Sequence, residues 1–375
     1  MKQLAHRWMA SVRRDTVLWV AVLLAAASWL AVGPGVPYEE YIDWDTLALL
    51  FSLMAVTKGM ERAGLFAQMG NALLARLRST RQMMLVLVFL PFFCSMLITN
   101  DVSLIAFVPF ALAVLEMAGQ QRLAVPLVVL QTAAANLGSM LTPMGNPQNL
   151  YLYGRSGMGF GALCALMAPY VAVSGAALAV LCVCVRAQPA QRVGVEARAP
   201  DKRALAVCAA GFALCLAALF GALPPLAVAA LTAVFLLAAD RPLLRAVDYS
   251  LLGTFLAFFI FIGNVSSIGW FRDFLAGVLA GREVPVAVLA SQVTSNVPAA
   301  LLLAGFSQRW DSLIVGCNLG GLGTLIASMA SLISYKLIAR AYPQRRGRYL
   351  AWFTLCNAGL LALLLGLWLA LGGGA

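Results

Sequence analysis

The chain has 375 residues, of which 62% are hydrophobic and only 11% are charged, and its mean hydropathy is +0.89. Soluble domains carry charge on about a quarter of their residues, so this composition excludes a soluble globular protein and predicts a chain embedded in a lipid bilayer. The formal net charge of +11 would suit a nucleic-acid-binding protein. The basic residues, however, lie in short loops beside apolar runs, as membrane topology signals do, so we expect no nucleic-acid partner.

Apolar runs in the first half of the chain predict helices at 16–32, 44–60, 83–98, 102–117, 123–141 and 160–185, with an amphipathic segment at 61–81. The runs 83–98 and 102–117 each have 16 residues, which span about 24 Å as helices. A bilayer core of about 30 Å asks for roughly 20 residues. Two short spans or a re-entrant hairpin fit this length, and in either case Thr99-Asn100-Asp101 forms the tip.

The run 123–141 continues into a segment that must break a helix. Residues 142–147 contain two prolines and a glycine, after which the apolar pattern resumes at 148–153. Polar, irregular backbone is tolerated at membrane depth only where it is buried in protein or lines a cavity. We therefore predict a broken helix over 123–153 that contributes to a binding site.

The second half repeats this order after a hydrophilic linker at 186–203. Predicted helices lie at 204–221, 226–239, 249–265 and 270–282, followed by a second hairpin at 285–294 and 297–305, a broken helix at 310–338 and a last span at 350–371. The second hairpin tip is Ser295-Asn296-Val297, and Gly320 to Thr324 break the following helix. This order predicts an N-terminal repeat (1–185), a linker with a connector helix (186–222) and a C-terminal repeat (223–375).

Charge distribution gives the expected topology of the two repeats. If both hairpins are re-entrant, about nine transmembrane helices remain, with the N-terminus cytoplasmic and the C-terminus outside. All but four of the 26 Lys and Arg residues then face the cytoplasm, which is a strong positive-inside bias. The four placed outside are Arg155, Arg272, Arg282 and Arg309. The first hairpin then enters from the cytoplasm and the second from outside, so the repeats are predicted to be inverted, with the site between them at the midplane.

Polar residues at the hairpin tips and helix breaks are the candidate substrate- or ion-binding residues. They are Thr99, Asn100, Asp101, Asn136, Thr142, Gly145, Asn146, Asn149, Ser295, Asn296, Asn318, Gly323 and Thr324. Cations need oxygen ligands, so Na⁺ is expected at Asn100, Asp101, Ser295 and Asn296. Anions suit helix N-termini. Asp101 is the most informative residue, because a carboxylate at membrane depth is costly and usually functional.

Each candidate also has a simpler interpretation. The tip residues are expected to cap the second arm of each hairpin, and the polar residues of 142–149 can hold helices together by hydrogen bonds. Asp101 is an ordinary loop aspartate if the hairpin lies shallower than expected. Lys58 and Glu61 are interpreted as a pair that snorkels to the membrane surface rather than as transport residues.

Four stretches resemble the ion transporter superfamily, which holds citrate and divalent-anion:sodium symporters, arsenite-efflux permeases and bacterial Na⁺/H⁺ antiporters. They are ITNDV (98–102), NLGSMLTPMGNPQNL (136–150), SQVTSNVP (291–298) and NLGGLGT (318–324). The resemblance implies an elevator-type carrier, often dimeric, so a homodimer is expected. It implies sodium and carboxylate ligands at Asn100, Ser295 and Asn296. Where the sodium-coupled dicarboxylate carriers have threonine at the tips, this chain has Asp101 and Val297.

We therefore expect an ion-coupled secondary active transporter of the cytoplasmic membrane that moves a small inorganic or organic anion, such as a carboxylate or an oxyanion. The alternative is a Na⁺/H⁺ antiporter or an arsenite-efflux permease that uses Asp101. An enzyme is disfavoured because the sequence offers no nucleophile–base set and no metal cluster, and His6 is the single histidine. No cofactor is expected, apart from Na⁺ or H⁺ as the coupling ion.

Overall fold

The computed structural model describes residues 16–33, 38–74, 79–188 and 201–373. Over these ranges the chain forms 19 α-helices and no β-strand. Six helices are long and apolar enough to cross a membrane, or seven if the bent pair 269–279 and 283–294 forms one span. The predicted all-α, polytopic membrane fold is confirmed, while the count of about nine crossings stays a prediction.

The helices of the first half are α1 (Thr16–Val32), α2 (Tyr38–Tyr41), α3 (Trp44–Arg62), α4 (Leu65–Leu74), α5 (Thr80–Cys94), α6 (Asn100–Met117), α7 (Ala124–Gly138), α8 (Pro147–Ser156) and α9 (Phe160–Val183). Those of the second half are α10 (Lys202–Leu219), α11 (Pro225–Ala239), α12 (Arg241–Leu244), α13 (Tyr249–Ser267), α14 (Gly269–Leu279), α15 (Glu283–Thr294), α16 (Asn296–Ala304), α17 (Trp310–Leu319), α18 (Met329–Ala341) and α19 (Arg346–Ala370).

Helices α3 and α13, at corresponding places in the two halves, begin in the same way. Asp43 Oδ1 accepts a hydrogen bond from the Thr46 amide at 2.9 Å, and Asp248 Oδ1 accepts one from the Leu251 amide at 3.0 Å. Each aspartate satisfies a first-turn N–H group that has no partner within its helix. Helix α13 then packs along α1, and α3 packs against α10 and α11.

Helices α5 and α6 form the first predicted hairpin. The Thr80 hydroxyl accepts from the Gln188 amide at 3.0 Å, and Arg122 donates to the Gln188 side chain. The two ends of the hairpin therefore meet at the same end of the protein. Its tip lies inside the protein, with Thr99 only 8% and Asn100 only 3% exposed. A buried tip favours the re-entrant hairpin over two short spans, whose connection would emerge at a surface.

The second hairpin, α15 and α16, is built in the same way. Glu283 at the start of α15 accepts from Ser307 Oγ at 3.3 Å and from Arg309 Nη1 at 3.4 Å, which joins both ends of the hairpin. The tip residues Ser295 and Asn296 are 2% and 5% exposed. Ser295 has a φ of 77°, so the chain turns into α16 through a left-handed conformation that is rare for serine.

The two broken helices cross between the halves. Helix α8, which follows the first break, packs against α16 and α17 of the second half, whereas α18, which follows the second break, packs against α6 and α7 of the first half. Helix α7 is almost entirely buried. This reciprocal exchange is the arrangement that an internal repeat predicts. The inverted orientation of the repeats in a membrane, and the domain bounds, stay predictions.

The second break is longer than expected. The sequence places it at Gly320 to Thr324, but the next regular helix begins only at Met329, with Ser328 as its N-cap residue. Gly323 has a φ of 101°, a conformation that side chains rarely adopt. The apolar residues between 324 and 329 had made this stretch look like continuing helix.

Candidate functional site

A cavity of about 80 Å³ lies where α3, α6, α8 and α18 meet. Its polar lining residues are Lys58, Thr99, Asp101, Asn146 and Asp248. The remaining lining is mainly apolar. A larger cavity of about 810 Å³ adjoins it, with Asp43, Thr46 and Arg155 among its walls, and Leu150 lines both cavities.

Besides the start of α13, which its N-cap residue Asp248 caps, three helix N-termini contribute residues to the small cavity, and another lies beside it. Thr99 and Asp101 belong to the start of α6, Asn146 and Pro147 to α8, and Met329 to α18. The start of α16 is tied to this region, because the Asn296 amide donates to Ala327 O at 2.9 Å. Helix N-termini carry partial positive charge and free N–H groups, so their convergence suits an anionic or oxygen-rich ligand.

The N-cap side chains of these four central helices make no capping hydrogen bond. They are Thr99, Asn146, Ser295 and Ser328. By contrast, α3, α5, α10, α12 and α13 are all capped by the side chain of an Asp or Ser. Thr99 and Ser295 therefore do not cap the second hairpin arms, although Asn100 Oδ1 accepts from the first-turn amide of Asp101 at 2.9 Å. At the cavity, the N-cap side chains of α6, α8 and α18 therefore leave first-turn N–H groups uncapped, whereas Asp248 caps α13 there.

Asn136 joins three of the predicted elements. Its Oδ1 atom accepts from Asn100 Nδ2 at 2.8 Å and from Ser328 Oγ at 3.0 Å, which connects the first hairpin tip, α7 and the start of α18. Asn136 Nδ2 is buried and has no hydrogen-bonding partner among the described residues. A buried donor without a partner is unfavourable, so this amide group is a candidate ligand for a bound solute.

Asn149 of the first half and Asn318 of the second half form another connection between the two halves. Asn318 Nδ2, in the first part of the second broken helix, donates to Asn149 Oδ1 at 2.6 Å. Asn149 Nδ2 in turn lies 3.3 Å from the carbonyl oxygens of Ser139, Met140 and Thr142. Its amide therefore satisfies carbonyl groups that the break between α7 and α8 leaves outside a helix, as burial requires.

Glycine and threonine at the first break have a packing role. A Cβ on Gly145 would lie 2.2 Å from Ser139 O, so no other residue fits without moving the backbone. Thr142 Oγ1 donates to Met96 O and so fixes the break against the end of α5. Asn146 Nδ2 donates to Ser139 Oγ at 2.5 Å. The break is thus held in one shape by its own polar groups.

Two of the predicted site residues stand apart from this network. Thr324 is exposed, and its amide and hydroxyl groups bond to Gln292, at 2.8 and 3.0 Å. Gly323 lies against the same glutamine, because a Cβ there would be 2.3 Å from Gln292 Oε1. Gln292 also donates to Gly320 O and Leu322 O. Sequence reasoning gave no role to Gln292, which holds the second break as Asn149 holds the first.

Asp101 and Lys58 share the small cavity. Asp101 Oδ1 is buried with no hydrogen-bonding partner in the described part of the chain. Lys58 Nζ donates to Glu61 Oε2 at 2.8 Å, so the pair expected from the sequence is present. The sequence did not indicate that Lys58 also lines the cavity of Asp101. Ser328 was also absent from the predicted site residues, since a serine near a helix start has no distinctive pattern.

Buried hairpin tips, broken helices and a polar cavity between them are typical of a multi-pass membrane transporter. The chain matches the citrate transporter family over residues 8–308. It is 32% identical over 304 residues to the inner membrane protein YbiR of Escherichia coli, covering 79% of this chain and 80% of the relative. It is 31% identical over 306 residues to an uncharacterized transporter of Methanocaldococcus jannaschii, covering 80% of this chain and 83% of that relative. A silicon efflux transporter of rice, Oryza sativa subsp. japonica, is 36% identical over 120 residues, 32% of this chain and 24% of that one.

The protein therefore belongs to the citrate transporter family, and the predicted resemblance to the ion transporter superfamily is confirmed.

Proposed function

We propose that this protein is an ion-coupled secondary active transporter of the cytoplasmic membrane that moves a small oxyanion or carboxylate. The observation that carries the proposal is the convergence of uncapped helix N-termini, at Thr99, Asn146 and Met329, on one cavity. Such termini offer N–H groups and partial positive charge to oxygen atoms. The unpartnered amide of Asn136 lies in the same polar network and can add a further donor.

The size of the cavity narrows the solute class. By the measure that gives about 80 Å³, a water molecule needs roughly 10–15 Å³, so the space holds on the order of five waters. A compact oxyanion or a short carboxylate fits this volume. A tricarboxylate as large as citrate does not fit without a wider arrangement of α6 and α18. The family name therefore does not by itself set the substrate.

Asp101 supplies a physical reason for ion coupling. Its carboxylate lines the same cavity as the helix N-termini, so an anion and an ionised Asp101 would repel each other there. Binding of Na⁺ or H⁺ at Asp101 removes this repulsion and favours the solute. Occupancy of the two sites is thereby linked, which is the requirement for coupled transport.

A second candidate is efflux of a weakly acidic, hydroxylated solute in exchange for a cation. It is favoured by the same unpartnered Asp101 oxygen and by similarity to the silicon efflux transporter of rice and to a putative arsB transporter of Dictyostelium discoideum. An uncharged oxyacid would use the amide and hydroxyl groups of the cavity without needing Asp101 to be neutralised first.

One screen separates these candidates. The purified protein is tested for thermal stabilisation by small carboxylates, phosphate, arsenite and silicic acid, with and without Na⁺, at several pH values. Stabilisation by an anion that requires Na⁺ or low pH supports coupled symport, whereas Na⁺-independent stabilisation by arsenite or silicic acid supports efflux. The uptake of each solute that stabilises the protein is then measured in proteoliposomes. No stabilisation by any solute under any condition, together with absent uptake, would contradict both candidates.

A further inference from the structure

Lys58 is a charged residue near the end of α3 for which the proposed function has no use. Its ammonium group bonds to Glu61, and its side chain is 23% exposed. It nevertheless lines the small cavity together with Asp101 and Asp248. An ammonium group beside a mainly apolar cavity is costly unless a counter-charge lies near it.

The charges around Asp101 leave Lys58 in a distinct position. Among the residues lining the cavity, Lys58 is the one basic group, and Asp101 and Asp248 are the two acids. Asp248 is already engaged as the cap of α13, whereas Asp101 Oδ1 has no hydrogen-bonding partner within the described ranges.

Basic residues on the other elements packed against α6 are directed elsewhere. Lys336 and Arg340 of α18 are exposed, Arg81 of α5 donates to Val185 O, Arg122 is bound to Gln188, and α4 carries no charge. Lys58 is therefore the basic group available to balance the charge of Asp101. Glu61 competes with Asp101 for the Lys58 ammonium group.

We propose that Lys58 is an internal counter-ion for Asp101, which neutralises this carboxylate when no cation is bound and which an arriving Na⁺ or H⁺ must displace. The proposal rests on the proposed function in one respect, that Asp101 is the coupling site. Lys58 lies on α3, which packs against α10 and α11, whereas Asp101 lies on the hairpin. The charge of Asp101 is then balanced both with and without the cation, so the empty transporter need not carry this carboxylate uncompensated through the membrane.

Two substitutions on α3 give opposite expected effects, which loss of folding cannot imitate. Lys58→Gln removes the positive charge that competes with Na⁺ for Asp101. The Na⁺ concentration for half-maximal binding therefore falls about tenfold or more, since a neighbouring opposite charge alters the affinity of a carboxyl group by that factor. Glu61→Gln releases Lys58 toward Asp101, so cation binding weakens several-fold. Lys58→Arg keeps the charge and stays close to the wild type.

The matched control is Arg62→Gln. Arg62 follows Lys58 on the same helix, but its guanidinium pairs with Asp240 at 2.9 Å and does not line the cavity. Binding is measured as thermal stabilisation of the full chain in lipid nanodiscs, titrated with Na⁺ at fixed pH and with pH at low Na⁺, in the absence of any solute. Arg62→Gln is expected to leave both curves unchanged.

Several outcomes would overturn the inference. If Lys58→Gln and Arg62→Gln gave equal titration curves, Lys58 would be a structural partner of Glu61 alone. Shifts of the same sign in Lys58→Gln and Glu61→Gln would also refute it, as would a wild type that shows no cation-dependent stabilisation. A wild type that binds the cation but moves no oxyanion overturns the proposed substrate only, and the opposite shifts of the two variants would still support Lys58 as the counter-ion.

Discussion

Asn136 offers the sharpest test of the network between the two halves. Asn136→Ala removes an oxygen that accepts two hydrogen bonds, from Asn100 at 2.8 Å and from Ser328 at 3.0 Å. Interhelical hydrogen bonds in membrane proteins average about 0.6 kcal/mol and reach about 1.7 kcal/mol, and a buried donor left without a partner costs about 1–3 kcal/mol. We expect the free energy of unfolding to fall by roughly 2 kcal/mol.

A double-mutant cycle isolates the central bond. Combining Asn136→Ala with Asn100→Ala should cost less than the sum of the single changes, with a coupling energy of about 1 kcal/mol, because the two side chains are in contact. Unfolding is followed by denaturant titration in mixed micelles. The control is Asn357→Ala in α19, which removes only a bond to Phe353 O of the same helix. Additivity of Asn100 and Asn136 to within about 0.3 kcal/mol would refute the network.

Three further predictions concern coupling, binding and topology. Asp101→Asn should abolish ion-driven accumulation and flatten the pH dependence of uptake in proteoliposomes, while solute exchange persists; an unchanged profile would move the coupling site elsewhere. Asn296→Ala should weaken solute affinity by more than tenfold, since a lost helix cap alone costs about 1 kcal/mol, and a variant that merely melts earlier would count against a ligand role. Single cysteines in place of Arg345 and Arg309, in a cysteine-free variant, should label from opposite faces, and labelling from one face would contradict the predicted topology.

Hairpins and breaks could be predicted because they depend on local chemistry. Short apolar arms around Thr99-Asn100-Asp101, and two prolines with a glycine in 142–147, admit few backbone solutions in a bilayer. The tips are buried as expected. The break that ends before Met329 was harder, because residues 325–329 are mostly apolar and lack proline. Groups distant in sequence hold that irregular backbone, namely the side chain of Gln292 and the amide of Asn296.

Pairing across the two halves was beyond sequence reasoning. Nothing in the local pattern tells which buried asparagine meets which partner, so the bonds from Ser328 to Asn136 and from Asn318 to Asn149 emerge only from tertiary packing. Lys58 was misjudged for the same reason. Its position beside Glu61 predicted a local ion pair, which is present, but the cavity that it shares with Asp101 is formed by helices distant in sequence.

Leu150 of helix α8 lines both the small cavity and the larger one. The same ten-residue helix carries Asn149, whose side chain holds both Asn318 and the carbonyl groups of the break. A short rigid helix cannot move one of these neighbours without the other. A displacement of α8 would therefore move the residue shared by the two cavities and the asparagine bonds of the site together.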